Sequence, residues 1–338
     1  MTQWLSNKFR WLSLIATWSV VCIHSRTDRW MPNETDWVNS VQKIIAPMFD
    51  FAVPLFFIIS GFMFVSSYRK YGWRGLLKQK VASLYLPAVI WVIAGMLLCL
   101  PIRLYSGSGI PNVWRFIGAP FLWVEGTEGQ HFWYVRSLLI MFVLSPIVFT
   151  VASRWWLALP GVIIGALVAC PIANSGYLNL RLNTTVVFFV IGAFISANAK
   201  PKELLCKRLG ATGGGVIAIV GIMLSLTNCP CWGIFGKIAF LRGIYDVLDS
   251  RLRIPQMPSR LNVLFFVYCL HLIVVCWTGG VLKLAFGLSP QSRMVSYLAL
   301  CCTFWLDILV ANLIMKYVPT IYSVLAGKRE CIKKVGAI

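Results

Sequence analysis

The feature that most constrains this chain is a succession of ten long apolar runs, at roughly 9–25, 44–66, 82–102, 131–151, 155–172, 183–198, 212–227, 231–247, 261–280 and 294–317. A helix that spans a bilayer needs about 17 to 25 mostly apolar residues. The runs are continuous, whereas the strands of a closed β-barrel are short and alternate, so helices are expected. The eighth run is the weakest, because it holds Lys237, Arg242 and Asp246. Of the 338 residues, 59% are hydrophobic and 12% charged, against about 25% charged in soluble domains. A soluble fold of this size has too little interior to hide so much apolar surface. The expected fold is all-α: a bundle of about ten transmembrane helices between residues 9 and 317. It forms one membrane domain over residues 1–338, ending in a basic cytoplasmic tail at 318–338. No polar block is large enough for a separate soluble domain.

The charges orient the bundle. With the N-terminus placed in the cytoplasm, twenty of the 31 Lys and Arg residues fall on inner segments, among them Arg69, Lys70, Arg74, Lys78 and Lys80. Eight fall on outer segments, and Arg136, Lys237 and Arg242 fall within helices. This positive-inside bias predicts that both termini are cytoplasmic. The net charge of +20 raises the question of nucleic acid. The cations punctuate apolar runs rather than gather in one aromatic-studded segment, which argues against that partner. The eleven cysteines form no CxxC pair and no Cys/His cluster with zinc spacing. Most lie inside apolar runs as small fillers, so no metal site is expected. Cys229 and Cys231 flank Pro230, where a disulfide would be strained. The first run follows Lys8 and Arg10 and ends in Cys22-Ile23-His24-Ser25 with no small-x-small cleavage site, so it reads as a retained helix. No internal repeat appears, against the pattern of inverted-repeat transporters. Gly213-Gly214-Gly215 lacks the Lys-Ser/Thr of a phosphate loop.

Ionisable residues inside a membrane are costly and usually face a cavity or a partner. Here they are His24, Asp50, Arg136, Lys237, Arg242, His271 and Asp307. At about 1.5 Å per residue, His24, Asp50, Arg136 and Lys237 fall in one layer of the outer half. Arg242 and His271 fall nearer the midplane. Glu125, Glu128 and His131 gather at the outer mouth before the fourth run. His24 is the foremost candidate for general base, since a neutral imidazole takes a proton from a hydroxyl near neutral pH. A histidine satisfied by a neighbouring carbonyl reads the same way. Arg136 suits a clamp on phosphate or carboxylate, and equally an ion pair with Asp50 or Asp307. Ser60-Gly61 places a small pair in a bulky run, fitting close helix approach as well as a ligand role.

Several segments resemble the acyltransferase family 3 membrane proteins, which include O-acetyltransferases of bacterial surface polysaccharides. Residues Trp11 to Ser25 resemble that family's first helix, which ends in the catalytic histidine. Val53-Pro54-Leu55-Phe56-Phe57-Ile58-Ile59-Ser60-Gly61-Phe62 is similar to its second-helix motif, and Leu84-Tyr85-Leu86-Pro87 to the start of its third helix. Phe132-Trp133-Tyr134-Val135-Arg136-Ser137-Leu138 resembles its Trp-Phe-Leu motif, with Ser145-Pro146 following. Phe188-Phe189-Val190-Ile191-Gly192 and Phe265-Phe266-Val267-Tyr268-Cys269-Leu270-His271 resemble two later blocks. The resemblance implies a ten-helix bundle in a bacterial inner membrane and an acyl-coenzyme A donor, usually acetyl, loaded from the cytoplasm. It also implies a hydroxyl acceptor, typically on a sugar or its lipid-linked precursor, and no bound cofactor. On that reading His24 is catalytic. Arg136, Ser60, Arg10, Arg242, His271 and Asp50 are candidates for substrate or donor binding. One position departs from the family. Its members usually carry an arginine eleven residues before the histidine, and this chain has Ser13 there. Arg10 on a neighbouring face substitutes only in part, leaving Arg136 or Arg242 to take over. A secondary transporter or flippase, or a catalytically altered relative in a polysaccharide-export complex, is the alternative.

Overall fold

The computed structural model describes residues 2–105, 112–122, 129–158, 160–161, 182–227 and 230–327. Among the described residues there is no strand. The helices in chain order are α1 (Gln3–His24), α2 (Trp37–Ile45), α3 (Ala52–Lys80), α4 (Leu86–Leu98), α5 (Leu100–Tyr105), α6 (Val113–Gly118), α7 (Trp133–Val143) and α8 (Ser145–Ser153). They continue with α9 (Leu182–Ala197), α10 (Ala199–Cys206), α11 (Ala211–Ser225), α12 (Pro230–Leu252), α13 (Leu264–Phe286), α14 (Pro290–Tyr317) and α15 (Pro319–Leu325).

Nine of the ten apolar runs coincide with helices, and the run at 155–172 falls mostly outside the described residues, as does Cys229 of the Cys229–Cys231 pair. By length and composition, three helical stretches suit a membrane crossing: Trp37–Tyr105, Leu264–Phe286 and Pro290–Tyr317. The pair α7 and α8, bent by 74° at Leu144, makes a fourth if counted as one span. Pro146 in the first turn of α8 lets a new helix begin there but cannot continue the old one. In α1 and α12 charged residues dilute the apolar run.

The basic inner segment between the second and third apolar runs is helical. The basic stretch after residue 66 continues α3 to Lys80 and joins α4 through a π-turn at Val81–Tyr85. Arg, Lys, Leu and Gln are good helix formers, and of the two glycines in 67–80, Gly72 and Gly75, only Gly72 leaves the helical region. Gly72 takes φ 64, outside the helical region, and kinks the axis there.

The chain divides into two compact units, with α1 and α3 contributing segments to both. The first comprises Met1–Ala16, Met48–Gly72 and Leu144–Pro258. Backbone-to-backbone packing at glycines holds it. A Cβ at Gly61 would stand 2.0 Å from the Phe189 carbonyl oxygen, and one at Gly192 would stand 2.0 Å from that of Ile58. Thus α3 and α9 cross where neither has a side chain, and of the two readings of Ser60-Gly61, Gly61 fulfils close approach. The hairpin of α11 and α12 repeats the device. A Cβ would fall 2.4 Å from Phe240 N at Gly221, 2.4 Å from Ser225 N at Gly236, and 2.5 Å from Gly214 O at Gly243. Gly214, the middle of the glycine triplet, is therefore a packing residue. Because the obstacle at Gly61 is backbone, no rotamer relieves it. Gly61→Leu is expected to destabilise by about 3 kcal/mol or more, the upper end for overpacking. Thermal unfolding of the detergent-purified variant measures this, and an unchanged midpoint would contradict the packing role.

The second unit comprises Thr17–Pro47, Trp73–Val143 and Ser259–Ile338. Here α13 packs along α14 and against α4, with α15 folded back onto α4. Trp91 sets its ring edge-on to Phe266 at 5.0 Å and donates from its indole to the Leu325 carbonyl. Phe266 in turn stacks on Tyr322 at 5.3 Å.

A polar clasp closes this unit at the start of α14. Arg293, fully buried, pairs with Asp36 and donates to Asn39 Oδ1 at 2.8 Å. Asn39 holds the Met31 and Glu34 carbonyls. Gln42 accepts from the backbone amides of Thr27 and Asp28, and the Thr27 hydroxyl donates to the Arg293 carbonyl. The clasp satisfies both terminal nitrogens of Arg293 and leaves its Nε without a partner among the described residues. The clasp seizes the chain three residues after His24 and so fixes where α1 ends. Arg293 thus has a packing role that its position in an outer segment did not suggest.

Candidate active site

The chain has three histidines, and all three meet in the second unit. His24 closes α1, His131 sits in a 3-10 turn just before α7, and His271 lies in the first half of α13. Ring centroids are 5.3 Å apart for His24 and His271, 4.8 Å for His131 and His271, and 6.5 Å for His24 and His131. His271 is fully buried and His131 is 3% exposed, whereas His24 is half-buried. Of the three, His24 is therefore the most exposed ring.

Tyr268 binds the group together. Its hydroxyl donates to the His131 carbonyl at 2.5 Å, and its own carbonyl lies 2.6 Å from His271 Nδ1. A carbonyl can only accept, so Nδ1 carries the proton, and in the neutral ring Nε2 carries the lone pair. His271 Nε2 is buried and has no hydrogen-bond partner among the described residues. Tyr268 lies three residues before His271 on the same helix face. That i,i+3 spacing is visible in the quoted block, but without the fold nothing singles the tyrosine out.

Arg136, 9% exposed in α7, aims Nη1 at the Leu122 carbonyl, 3.5 Å away. Neither ion pair weighed for it is found: Asp50 pairs with Lys237, and both carboxylate oxygens of fully buried Asp307 have no hydrogen-bond partner among the described residues. Glu125 and Glu128 lie outside the described residues.

The remaining candidates belong to the first unit. Asp50 and Lys237 form a 2.8 Å ion pair. Ser60 is half-buried beside the Gly61 crossing, and Arg10 is exposed. Arg242 donates to the Leu204 carbonyl and stands 3.8 Å from Asp246. The layer expected to hold His24, Asp50, Arg136 and Lys237 is therefore divided between the two units. The reason is that depth along each helix fixes height but not the face it turns. Among the described residues, no group of three or more His, Cys, Asp or Glu has the geometry to hold a metal ion.

A second polar cluster, absent from the candidates, lies in the first unit. Lys8, 1% exposed, donates to Asp246 at 2.6 Å and packs its ammonium 5.0 Å from the Trp4 ring and 5.3 Å from that of Tyr245. The indole of Trp4 donates to Asp249. In sequence Lys8 is one of many inner cations that set orientation. What marks it out is burial, which only packing supplies.

The sequence profile of the acyltransferase family 3, described as an acyltransferase domain, matches residues 7–311 and so covers nearly the whole chain. No curated protein and no solved structure matches it significantly. The matched span contains all three histidines, Tyr268 and Arg136, and on that match this multi-pass membrane protein belongs to the acyltransferase family 3.

Proposed function

We propose that the protein transfers an acyl group, most simply acetyl, from acyl-coenzyme A to a hydroxyl of a cell-surface carbohydrate or its lipid-linked precursor. The observation that carries this reading is the meeting of the three histidines with His24 alone accessible. His24 removes the acceptor proton as the oxygen attacks the thioester carbonyl, and returns it to the departing thiolate. One thioester is lost, one oxygen ester forms, and the base ends neutral, so the cycle needs no cofactor.

The same reading sets the protein in a bacterial inner membrane in ten spans with both termini cytoplasmic. The basic face formed by Arg69, Lys70, Arg74, Lys78 and Lys80 then meets the donor's phosphates on the inner side, and Arg136 serves as an anion clamp. A reporter fused after Ile338 is expected to read cytoplasmic, and a periplasmic signal would overturn the ten-span arrangement.

A second reading is favoured by one observation, Ser13 in place of the family's arginine: a relative that uses another donor, or serves as scaffold or flippase. Membranes given radiolabelled acetyl-coenzyme A separate the two. Label incorporated into carbohydrate and released by mild alkali is expected for O-acyl transfer. Absence of alkali-labile label in membranes that contain the protein and the acceptor favours the second reading.

A further inference from the structure

The unpartnered nitrogen of His271 calls for a physical account. A buried polar atom without a hydrogen bond destabilises a fold by about 1–3 kcal/mol, and a catalytic role is one of the explanations for keeping it. Nδ1 is tied to the Tyr268 carbonyl of its own helix, so Nε2, on the opposite side of the ring, is turned away from that backbone. The ring centroids of His131 and His24 stand 4.8 and 5.3 Å from that of His271. Two imidazoles joined edge to edge by one hydrogen bond of about 3 Å have centroids roughly 5 Å apart. The His24–His271 separation is close to that span. Their order is also fixed, because His24 is half-buried and His271 lies fully buried.

We infer that His271 is a positioning residue for acyl transfer: its Nε2 accepts the ring N–H of His24, directly or through one water, and holds His24 in the tautomer whose other nitrogen faces the acceptor hydroxyl. The inference rests on the reading of His24 as the base. A base oriented by a third group is the general arrangement of activated hydroxyl chemistry. Here that group is a neutral imidazole rather than a carboxylate. In the transfer step the acceptor oxygen bonds to the acyl carbon, its proton moves to the unprotonated nitrogen of His24, and His271 holds the N–H that His24 already carries. The thiolate then leaves with the proton from His24. Tyr268 sets the device in place, since its carbonyl dictates which nitrogen of His271 is the acceptor.

Two substitutions separate positioning from packing. Asparagine at 271 can still donate to the Tyr268 carbonyl but has nothing at the place of Nε2. Glutamine carries an acceptor oxygen to that place. His271→Asn is expected to lower kcat roughly 10- to 100-fold with KM for acyl-coenzyme A unchanged, and His271→Gln to restore most of it. Equal losses in the two variants, or a wild-type kcat in His271→Asn, would overturn the inference. With three histidines in the chain, 15N-histidine NMR reads the tautomers without any assay. His24 should be a single tautomer in the wild type and in His271→Gln, and a mixture in His271→Asn. If His271→Asn fails to give monodisperse protein, the wild type alone decides, and a mixture at His24 there contradicts the inference. Transfer that survives in His24→Ala would instead sink the assignment of the base while leaving the tautomer result to stand separately.

Discussion

His24→Ala is expected to lower kcat for acyl transfer by about 10²- to 10⁴-fold, the range a positioned general base contributes, with KM for the donor little altered. His24 is the accessible member of the trio and ends α1, where truncation opens space toward the substrate side rather than a void in the core. The polar clasp of Thr27, Gln42 and Arg293 still holds the chain beyond it. The variant should therefore fold, and its unfolding midpoint should match the wild type. Kinetics on purified protein in detergent or nanodiscs check both halves. A loss of activity accompanied by a fallen midpoint would point to packing instead of proton transfer.

Asp246→Asn should be among the most destabilising single changes in the chain, by about 3–5 kcal/mol, the penalty for leaving a buried charge unpaired. Asp246 is 1% exposed and serves both Lys8 at 2.6 Å and Arg242 at 3.8 Å, so its loss strands one buried cation and weakens the hold on another. Lys8→Met should do less harm, because Arg242 still faces the carboxylate. The double change Lys8→Met with Asp246→Leu removes both desolvated charges and should recover most of the loss. Thermal or denaturant unfolding of the three variants tests the order. If Asp246→Asn proves milder than Lys8→Met, the pair is not the centre of this cluster.

Much of the helical skeleton was legible in the sequence, because apolar runs of spanning length leave the backbone few alternatives to a helix. The segment after residue 66 stood out only as a basic inner segment, and its helix is explained by the propensity of Arg, Lys, Leu and Gln. His24, His131 and His271 were each visible as polar residues in or beside apolar runs. Their convergence was not, since it depends on how α1, α7 and α13 are rotated about their axes. The same ignorance of rotation hid Tyr268. It also left Lys8 and Arg293 looking like surface charges, although packing buries both among partners more than 200 residues away. Gly61 and Gly192 stood in the two quoted blocks without any sign that each is the other's contact, a pairing only the crossing of α3 and α9 reveals.

The most direct test follows alkali-labile acetyl label from radiolabelled acetyl-coenzyme A into carbohydrate, comparing membranes that hold equal amounts of wild type and His24→Ala. The wild type should accumulate ester-linked label while the variant stays near the level of membranes lacking the protein. Equal accumulation by the two would contradict the account of this chain as an acyltransferase with His24 as its base.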